Sequence, residues 1–236
     1  MHPLSQQPIV IIGGFLSIPS FYKNMSRTLY DLSSQPVYIC DINLIDWFWA
    51  FGKYGWLRIL FKLKHTVETA LERSYSRRVT LIGHSSGGVI ARLFLSPDDF
   101  MGHKFNGLKY VSHLISLGSP HYGIRGTAMR NYVQKTYPDG YFQPDVEYIS
   151  IAGSAVDGAK TNSLISRISY YCYKYICGNG DVKGDGLVPA QSALLKGSIH
   201  IILSSASHPF LFARDWYGTS SNVYKWWNEI NSCLGN

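Results

Sequence analysis

The stretch Val79-Thr80-Leu81-Ile82-Gly83-His84-Ser85-Ser86-Gly87-Gly88 decides the fold of this chain. It begins with an apolar run typical of a buried strand, and the apolar residues of 89–94 then recur at helical spacing until Pro97. Between strand and helix lies a Gly-x-Ser-x-Gly pattern, whose small residues let the two elements pack closely around a strained serine. The pattern alone is weakly specific. In this context it predicts a nucleophile elbow at Ser85, beside a helix N-terminus that favours negative charge.

A serine hydroxyl is a poor nucleophile near neutral pH, so it needs a base that an acid orients. In a fold with this elbow the chain order is serine, acid, histidine. Asp185 follows Ser85 by 100 residues within Gly-Asp-Gly-Leu-Val-Pro, and His208 follows 23 residues later, just past the apolar run 199–203. The predicted catalytic triad is therefore Ser85 as nucleophile, His208 as base and Asp185 as the orienting acid.

The acid has rivals. Asp157 lies closer than Asp185 to the end of a predicted strand at 146–152, whereas Asp41 and Asp46 precede the serine and fit the chain order poorly. Asp185 is preferred because its Asp-Gly turn leads into an apolar Leu-Val-Pro segment, as expected for a loop that returns to the core.

The base has rivals as well. His84 adjoins the nucleophile, but its neighbouring position points it away from a shared hydrogen bond, and His121 follows a strand that precedes the acid. The alternative interpretation of His208 is an ordinary histidine of a surface loop. Its place in the chain order, at the end of a predicted strand, argues for the catalytic interpretation.

An oxyanion hole needs two backbone donors, and an earlier strand offers one of them. The apolar strand that starts at Pro8 ends in Gly13 and Gly14, where backbone can approach a substrate. We predict that the N–H groups of Phe15 and Ser86 receive the oxyanion, with Leu16 replacing Phe15 if the turn is offset by one residue.

The overall pattern alternates strands and helices. Apolar strands are expected near 8–13, 36–41, 79–84, 110–117, 146–152 and 198–204, and helices near 20–33, 56–76, 87–96, 163–177 and 220–232. Continuously apolar strands are typical of a parallel sheet that is covered on both faces. The prediction is an α/β, three-layer fold with a mostly parallel six-stranded sheet, formed by one domain over residues 1–236.

Two excursions interrupt this alternation, at 43–62 and at 121–145, and both are expected to border the active site as flaps or caps. The first is dominated by aromatic residues and carries Lys53, Arg58 and Lys62, with Lys64 just beyond it, so it is either an anchor at a lipid interface or a loop and helix packed on the sheet. The predicted substrate-binding residues lie in these regions and beside the oxyanion loop: Gly14, Leu16, Trp47, Trp49 and His121.

Composition limits the classes of function. The 236 residues are 46% hydrophobic, and Lys plus Arg exceed Asp plus Glu by 22 − 15 = 7, which favours anionic surfaces. The basic residues form no recognised nucleic-acid module, so no nucleic-acid partner is expected. The four cysteines are too scattered for a disulfide framework or zinc site, and Asp181 and Asp185 lack the ligand spacing of a calcium loop. No metal and no cofactor are predicted.

These motifs together resemble the α/β-hydrolase superfamily, and within it the small cyanobacterial and plant lipase-like hydrolases. The resemblance covers most of the chain and rests on these segments: 8–15, Asp46-Trp47, 83–88, 117–121, 184–189 and Ser207-His208-Pro209. It implies a minimal six-stranded core and esterase or lipase activity, in some relatives on membrane galactolipids. The Gly-Gly-Phe start departs from the commoner His-Gly oxyanion motif of the superfamily.

The predicted function is hydrolysis of carboxylic esters, with lipid-like acyl esters as substrates and an acyl-enzyme as intermediate. An acyl-protein or acyl-CoA thioesterase is the nearest alternative, and a non-catalytic protein that binds a hydrophobic ligand or partner is the alternative from another class. The chain is expected in the cytoplasm with peripheral membrane contact, or in a plastid if a transit peptide was removed. No obligate protein partner is expected.

Overall fold

A six-stranded parallel sheet forms the centre of the molecule in a computed structural model that describes residues 6–160, 163–208 and 215–235. Its strands are β1 (Ile9–Ile12), β2 (Val37–Ile39), β3 (Val79–His84), β6 (Val111–Leu117), β7 (Glu147–Gly153) and β10 (Ile199–Leu203). They lie in the order β10-β7-β6-β3-β1-β2. Every described pairing between them is parallel.

The remaining strands form two short antiparallel pairs, β4 (Asp99–Phe100) with β5 (His103–Lys104) and β8 (Val156–Asp157) with β9 (Lys183–Gly184). The described helices are α1 (Lys23–Ser33), α2 (Leu44–Trp49), α3 (Lys53–Glu72), α4 (Ser86–Leu95), α5 (Ala128–Thr136), α6 (Leu164–Cys177), α7 (Ala190–Ala193) and α8 (Ser220–Leu234). Two 3-10 turns, Pro19–Tyr22 and Gly107–Lys109, complete the described elements.

Helices cover both faces of the sheet because successive strand residues point to opposite sides. Val10 and Ile12 of β1 pack with apolar residues of α3 and α4, whereas Ile9 and Ile11 pack with those of α1 and α8. All four side chains are fully buried. This explains why the strands are continuously apolar, and it confirms the predicted parallel sheet between two helical layers.

The predicted central strands each match an observed strand to within two residues at either end. The helix predicted at 56–76 instead runs from Lys53 to Glu72, and the two excursions contain helices, α2 and α5, that the sequence pattern did not reveal. A single domain over residues 1–236 stays a prediction. Among the described helices, none combines the length and apolarity needed to cross a membrane.

Candidate active site

Ser85 occupies the sharp turn between β3 and α4, with φ 53° and ψ −124°. Non-glycine residues rarely adopt a positive φ, so this backbone is strained. The two glycines of the pattern make the turn possible. A Cβ on Gly83 would lie 2.4 Å from the Gly88 Cα, and one on Gly87 would lie 2.5 Å from the carbonyl oxygens of Ile12 and Gly13. Strand, helix and the end of β1 therefore pack closer than any side chain would allow.

His208 bridges Ser85 and Asp185. Its Nε2 lies 3.1 Å from the Ser85 Oγ, and its Nδ1 lies 2.8 Å from the Asp185 Oδ2. An ionised carboxylate only accepts hydrogen bonds, so Nδ1 donates to Asp185 and Nε2 is left to accept from the serine hydroxyl. The three predicted residues thus meet at one end of the sheet, in the arrangement that a serine nucleophile requires.

The Asp185 carboxylate is buried and satisfied by four donors. Its Oδ1 accepts from the backbone N–H groups of Leu187 and Val188 at 3.0 and 2.8 Å, and its Oδ2 accepts from His208 and from the Tyr217 hydroxyl at 2.9 Å. The Asp185 carbonyl also accepts from the His208 backbone N–H. Backbone and side-chain bonds therefore fix the relative positions of acid and base.

The rival residues lie elsewhere or have other partners. The Asp157 carboxylate accepts from the Ala159 N–H, and the buried His121 ring contacts the Ser116 hydroxyl at 3.0 Å. His84 lies beside His208, with ring centroids 5.0 Å apart, but its Nδ1 contacts the Tyr22 hydroxyl at 2.9 Å. Burial, reinforced by the adjacent His208, lowers the pKa of His84 well below its usual 6.5, so this ring is neutral. Geometry favours Asp185 and His208.

The predicted oxyanion loop contacts the nucleophile directly. A Cβ on Gly14 would lie 2.7 Å from the Ser85 Cβ, and the following turn closes through a bond from the Ser17 N–H to the Gly14 carbonyl. Leu16 has a φ of 60° within this turn. Phe15 precedes it, and Ser86 begins α4 directly after the nucleophile. Their assignment as the two oxyanion donors stays a prediction that this proximity supports.

A cavity of about 740 Å³ opens beside the triad, and its lining is mainly apolar. Ser85, Ser86 and His208 lie on one wall together with Phe15. The other walls come from three segments of the chain, 43–62, 120–136 and 163–178, which contribute side chains such as Trp47, Met129 and Tyr171. The volume is in the range of pockets that enclose small organic ligands.

Two of the predicted substrate-binding residues border this cavity or its nucleophile, namely Trp47 and Gly14. The other three, His121, Trp49 and Leu16, are not among the described residues that line this cavity, and their assignment stays a prediction. His121 is buried against Ser116, Trp49 is 63% exposed, and Leu16 is 37% exposed in a turn where its φ is positive. Phe51 and Trp56, which both follow Trp49 in sequence, line the cavity. Pro209 of the resemblance motif lies outside the described residues.

Sequence reasoning missed two tyrosines that hold this site. Tyr217 donates to Asp185 and accepts from the Gly153 N–H at 2.7 Å, and Tyr22 accepts from the Gly14 N–H at 2.9 Å. Neither tyrosine belongs to a motif or to a spacing pattern. Tyr22 reaches Gly14 across an irregular segment of eight residues, and Tyr217 reaches Asp185 across 32 residues, and neither separation follows a periodic pattern that the sequence could reveal.

Comparison with protein families gives one match at residues 58–163, to the PGAP1-like alpha/beta domain. The match covers a little under half of the chain and includes Ser85 but neither Asp185 nor His208. Over 70 residues, 29% of the chain, the sequence is 37% identical to the phospholipase A(1) LCAT3 of Arabidopsis thaliana. That stretch spans only 14% of the length of this relative.

Two solved structures align with nearly the whole chain, whereas the sequence match to the phospholipase covers 29% of it. A cell surface hydrolase of Lactobacillus plantarum aligns with 97% of this chain and 92% of its own, with a TM-score of 0.54 and 14% identity. Esterase 2 of Thermogutta terrifontis aligns with 98% of this chain and 84% of its own, with a TM-score of 0.55 and 10% identity. At such identities the likeness concerns the fold.

Proposed function

We propose that this chain, which has the fold of the α/β-hydrolases, is a serine ester hydrolase acting on acyl lipids. The observation that carries the proposal is the hydrogen-bonded series from Ser85 through His208 to Asp185, at the wall of an apolar cavity. The names of the similar proteins, a phospholipase, an esterase and a hydrolase, support the same reaction class.

The proposed reaction has two halves. The Ser85 Oγ attacks the ester carbonyl while His208 Nε2 takes its proton, and the oxyanion of the tetrahedral intermediate is received by the N–H groups of Phe15 and Ser86. Collapse breaks the ester bond, and His208 returns the proton to the leaving alcohol. Water, deprotonated by the same imidazole, then attacks the acyl-enzyme. The bond between the acyl carbon and the Ser85 Oγ breaks, the imidazolium returns its proton to that oxygen, and the carboxylic acid is released. Asp185 stabilises the imidazolium in both halves.

The apolar lining favours the binding of long acyl chains over polar acyl groups. Among esters, lipids are therefore the preferred substrates. Membrane galactolipids are the substrate class suggested by the sequence resemblance. A thioester substrate would be hydrolysed by the same triad, and its thiolate would be a better leaving group than an alcohol. Parallel assays with p-nitrophenyl esters of graded chain length, galactolipid vesicles and palmitoyl-CoA separate these substrates, and a preference for the thioester over every oxygen ester would reverse their order.

A fluorophosphonate probe tests the catalytic assignment. We expect covalent labelling of the wild-type protein at Ser85 and none in Ser85→Ala, together with a loss of ester hydrolysis of roughly 10⁴-fold or more. Ser86→Ala is the matched control, because it removes the adjacent hydroxyl and keeps the backbone N–H. Absence of labelling in the wild type would favour a non-catalytic binding protein, and hydrolysis retained by Ser85→Ala would point to another nucleophile.

A further inference from the structure

Exposed apolar side chains concentrate on the three segments that wall the cavity. Of the nineteen large hydrophobic residues exposed in the described part of the chain, eleven lie within 43–62, 120–136 and 163–178. The most exposed are Phe51, Tyr54, Ile124 and Leu164, each at least 71% accessible. Isolated exposed apolar residues are ordinary, but a concentration of them around a cavity marks an interaction surface. We call these three segments the rim.

In the first rim segment, 43–62, buried tryptophans hold the backbone in place while neighbouring aromatic side chains are exposed. Trp47 and Trp56 are buried and anchor α2 and α3 to the core, while Phe48 and Trp49 between them are 68% and 63% exposed. The exposed rings therefore lie at the C-terminal end of a short helix that Trp47 fixes to the core, next to a helix that Trp56 fixes there. Such a surface presents apolar side chains outward without requiring the core to open.

The rim also carries the net charge of the protein. Its three segments contain eight lysine and arginine residues and a single acidic residue, Asp46, whereas the rest of the chain contains fourteen of each sign. Asp46 is fully buried and paired with Arg58 and Lys62. Lys53, Arg125 and Lys174 instead lie over tyrosine rings at 5.7 to 5.9 Å, an arrangement that leaves their positive charge uncompensated.

We propose that the rim is a docking surface for a lipid bilayer that contains anionic lipids, and that the cavity opens toward this bilayer. The inference rests on the proposed function and names the surface from which its substrate is drawn. Aromatic rings and basic side chains on segments that surround one cavity match the boundary between acyl chains and anionic headgroups. A lysine or arginine near such a membrane contributes to binding even without a specific headgroup contact.

Vesicle co-sedimentation tests the proposal, with Ser85→Ala as the protein so that the lipid is not degraded. We expect binding to vesicles of mixed phosphatidylcholine and phosphatidylglycerol, weaker binding to phosphatidylcholine alone, and weakening by salt. Adding Phe48→Ser and Tyr54→Ser should reduce the partition coefficient by roughly tenfold or more, since binding scales with buried apolar area. Neither side chain lines the described cavity.

Matched controls come from exposed tyrosines and lysines outside the rim. Tyr30→Ser with Tyr75→Ser should leave vesicle binding unchanged, as should Lys23→Gln with Lys104→Gln, whereas Lys53→Gln with Lys174→Gln should weaken binding to anionic vesicles selectively. Equal effects of rim and control variants, or no vesicle binding by Ser85→Ala, would overturn the proposal. Because this assay involves no hydrolysis, its failure is distinguishable from a failure of the fluorophosphonate test.

Discussion

At the scale of single residues, Tyr22 connects the oxyanion loop to the histidine beside the triad. Its hydroxyl accepts from the Gly14 N–H and donates to the Ser17 Oγ at 3.1 Å, and Ser17 in turn donates to the Gly14 carbonyl at 2.6 Å. The single hydroxyl proton is then used, so His84 Nδ1 must be the donor in its 2.9 Å contact with Tyr22. Burial raises the pKa of Tyr22 to about 12, so it stays a neutral donor.

Tyr22→Phe should therefore lower the turnover number while leaving KM nearly unchanged. The variant keeps the ring packing and removes the oxygen that fixes Gly14. The oxyanion loop then holds its N–H donors less well toward the oxyanion, which develops only in the transition state, so substrate binding is little affected. We expect a decrease in kcat of roughly 10- to 100-fold, measured with a soluble p-nitrophenyl ester.

Tyr30→Phe, at an exposed position of α1, is the control and should be kinetically silent. An unchanged kcat in Tyr22→Phe, or a KM that rises in proportion, would argue that the tyrosine has a packing role alone.

At the scale of elements, α2 owes its position to one buried carboxylate. Asp46 accepts from the Asn43 N–H while Asn43 caps the helix in return, and the same carboxylate pairs with Arg58 and Lys62 of α3 at 2.5 and 2.6 Å. This one side chain thus joins the N-terminus of α2 to the middle of α3. The aromatic segment is consequently packed on the core through Trp47, as the second interpretation from sequence expects, while its contact with a lipid interface stays a proposal.

Asp46→Asn should destabilise this helix pair. The amide keeps the shape of the side chain but removes the charge that pairs with two cations, leaving Lys62 partly buried without its partner. We expect the free energy of unfolding in urea to fall by about 1 to 3 kcal/mol, near the lower end because Arg58 is 57% exposed and screened by solvent.

Asp41→Asn is the matched control, since Asp41 is exposed and only its backbone carbonyl receives Lys62. Equal stability losses in the two variants would contradict the role assigned to Asp46.

At the scale of the whole molecule, two fully buried histidines link stability to pH. Burial lowers the pKa of both His84 and His121 well below 6.5, with nearby His208 and Arg92 as the respective secondary causes. Below about pH 6.5 the unfolded chain binds protons at these residues that the folded chain does not. Their contribution to the free energy of unfolding is therefore complete above that pH and is lost as the pH falls toward the lowered values.

Urea unfolding at about pH 7.5 and about pH 5.5 measures this loss, expected to approach about 1.4 kcal/mol per pH unit for each histidine once the unfolded state is protonated. His121→Gln should make the dependence shallower, because glutamine does not titrate. His65→Gln, at an exposed position, should leave the slope unchanged. If His121→Gln left the pH dependence of the free energy of unfolding unchanged, other groups would be responsible for the loss of stability at acid pH.

The sequence by itself determined the elements of the sheet and the three residues proposed for catalysis. Buried parallel strands require continuous apolar runs, and an elbow requires glycines where backbones meet, so local composition carries both signals. Chain order then selected Asp185 and His208 from several candidates, since the ends of parallel strands gather at one edge of the sheet.

Only the tertiary structure decided which side chains meet between those elements. Tyr22 and Tyr217 reach the site from separate helical and loop regions, and His121 turns inward although its neighbour Pro120 lines the cavity. The same holds for the rim, whose basic and aromatic residues lie in three segments far apart in sequence. Periodicity and spacing report on local backbone, whereas contacts between distant elements depend on packing that no short stretch of sequence encodes.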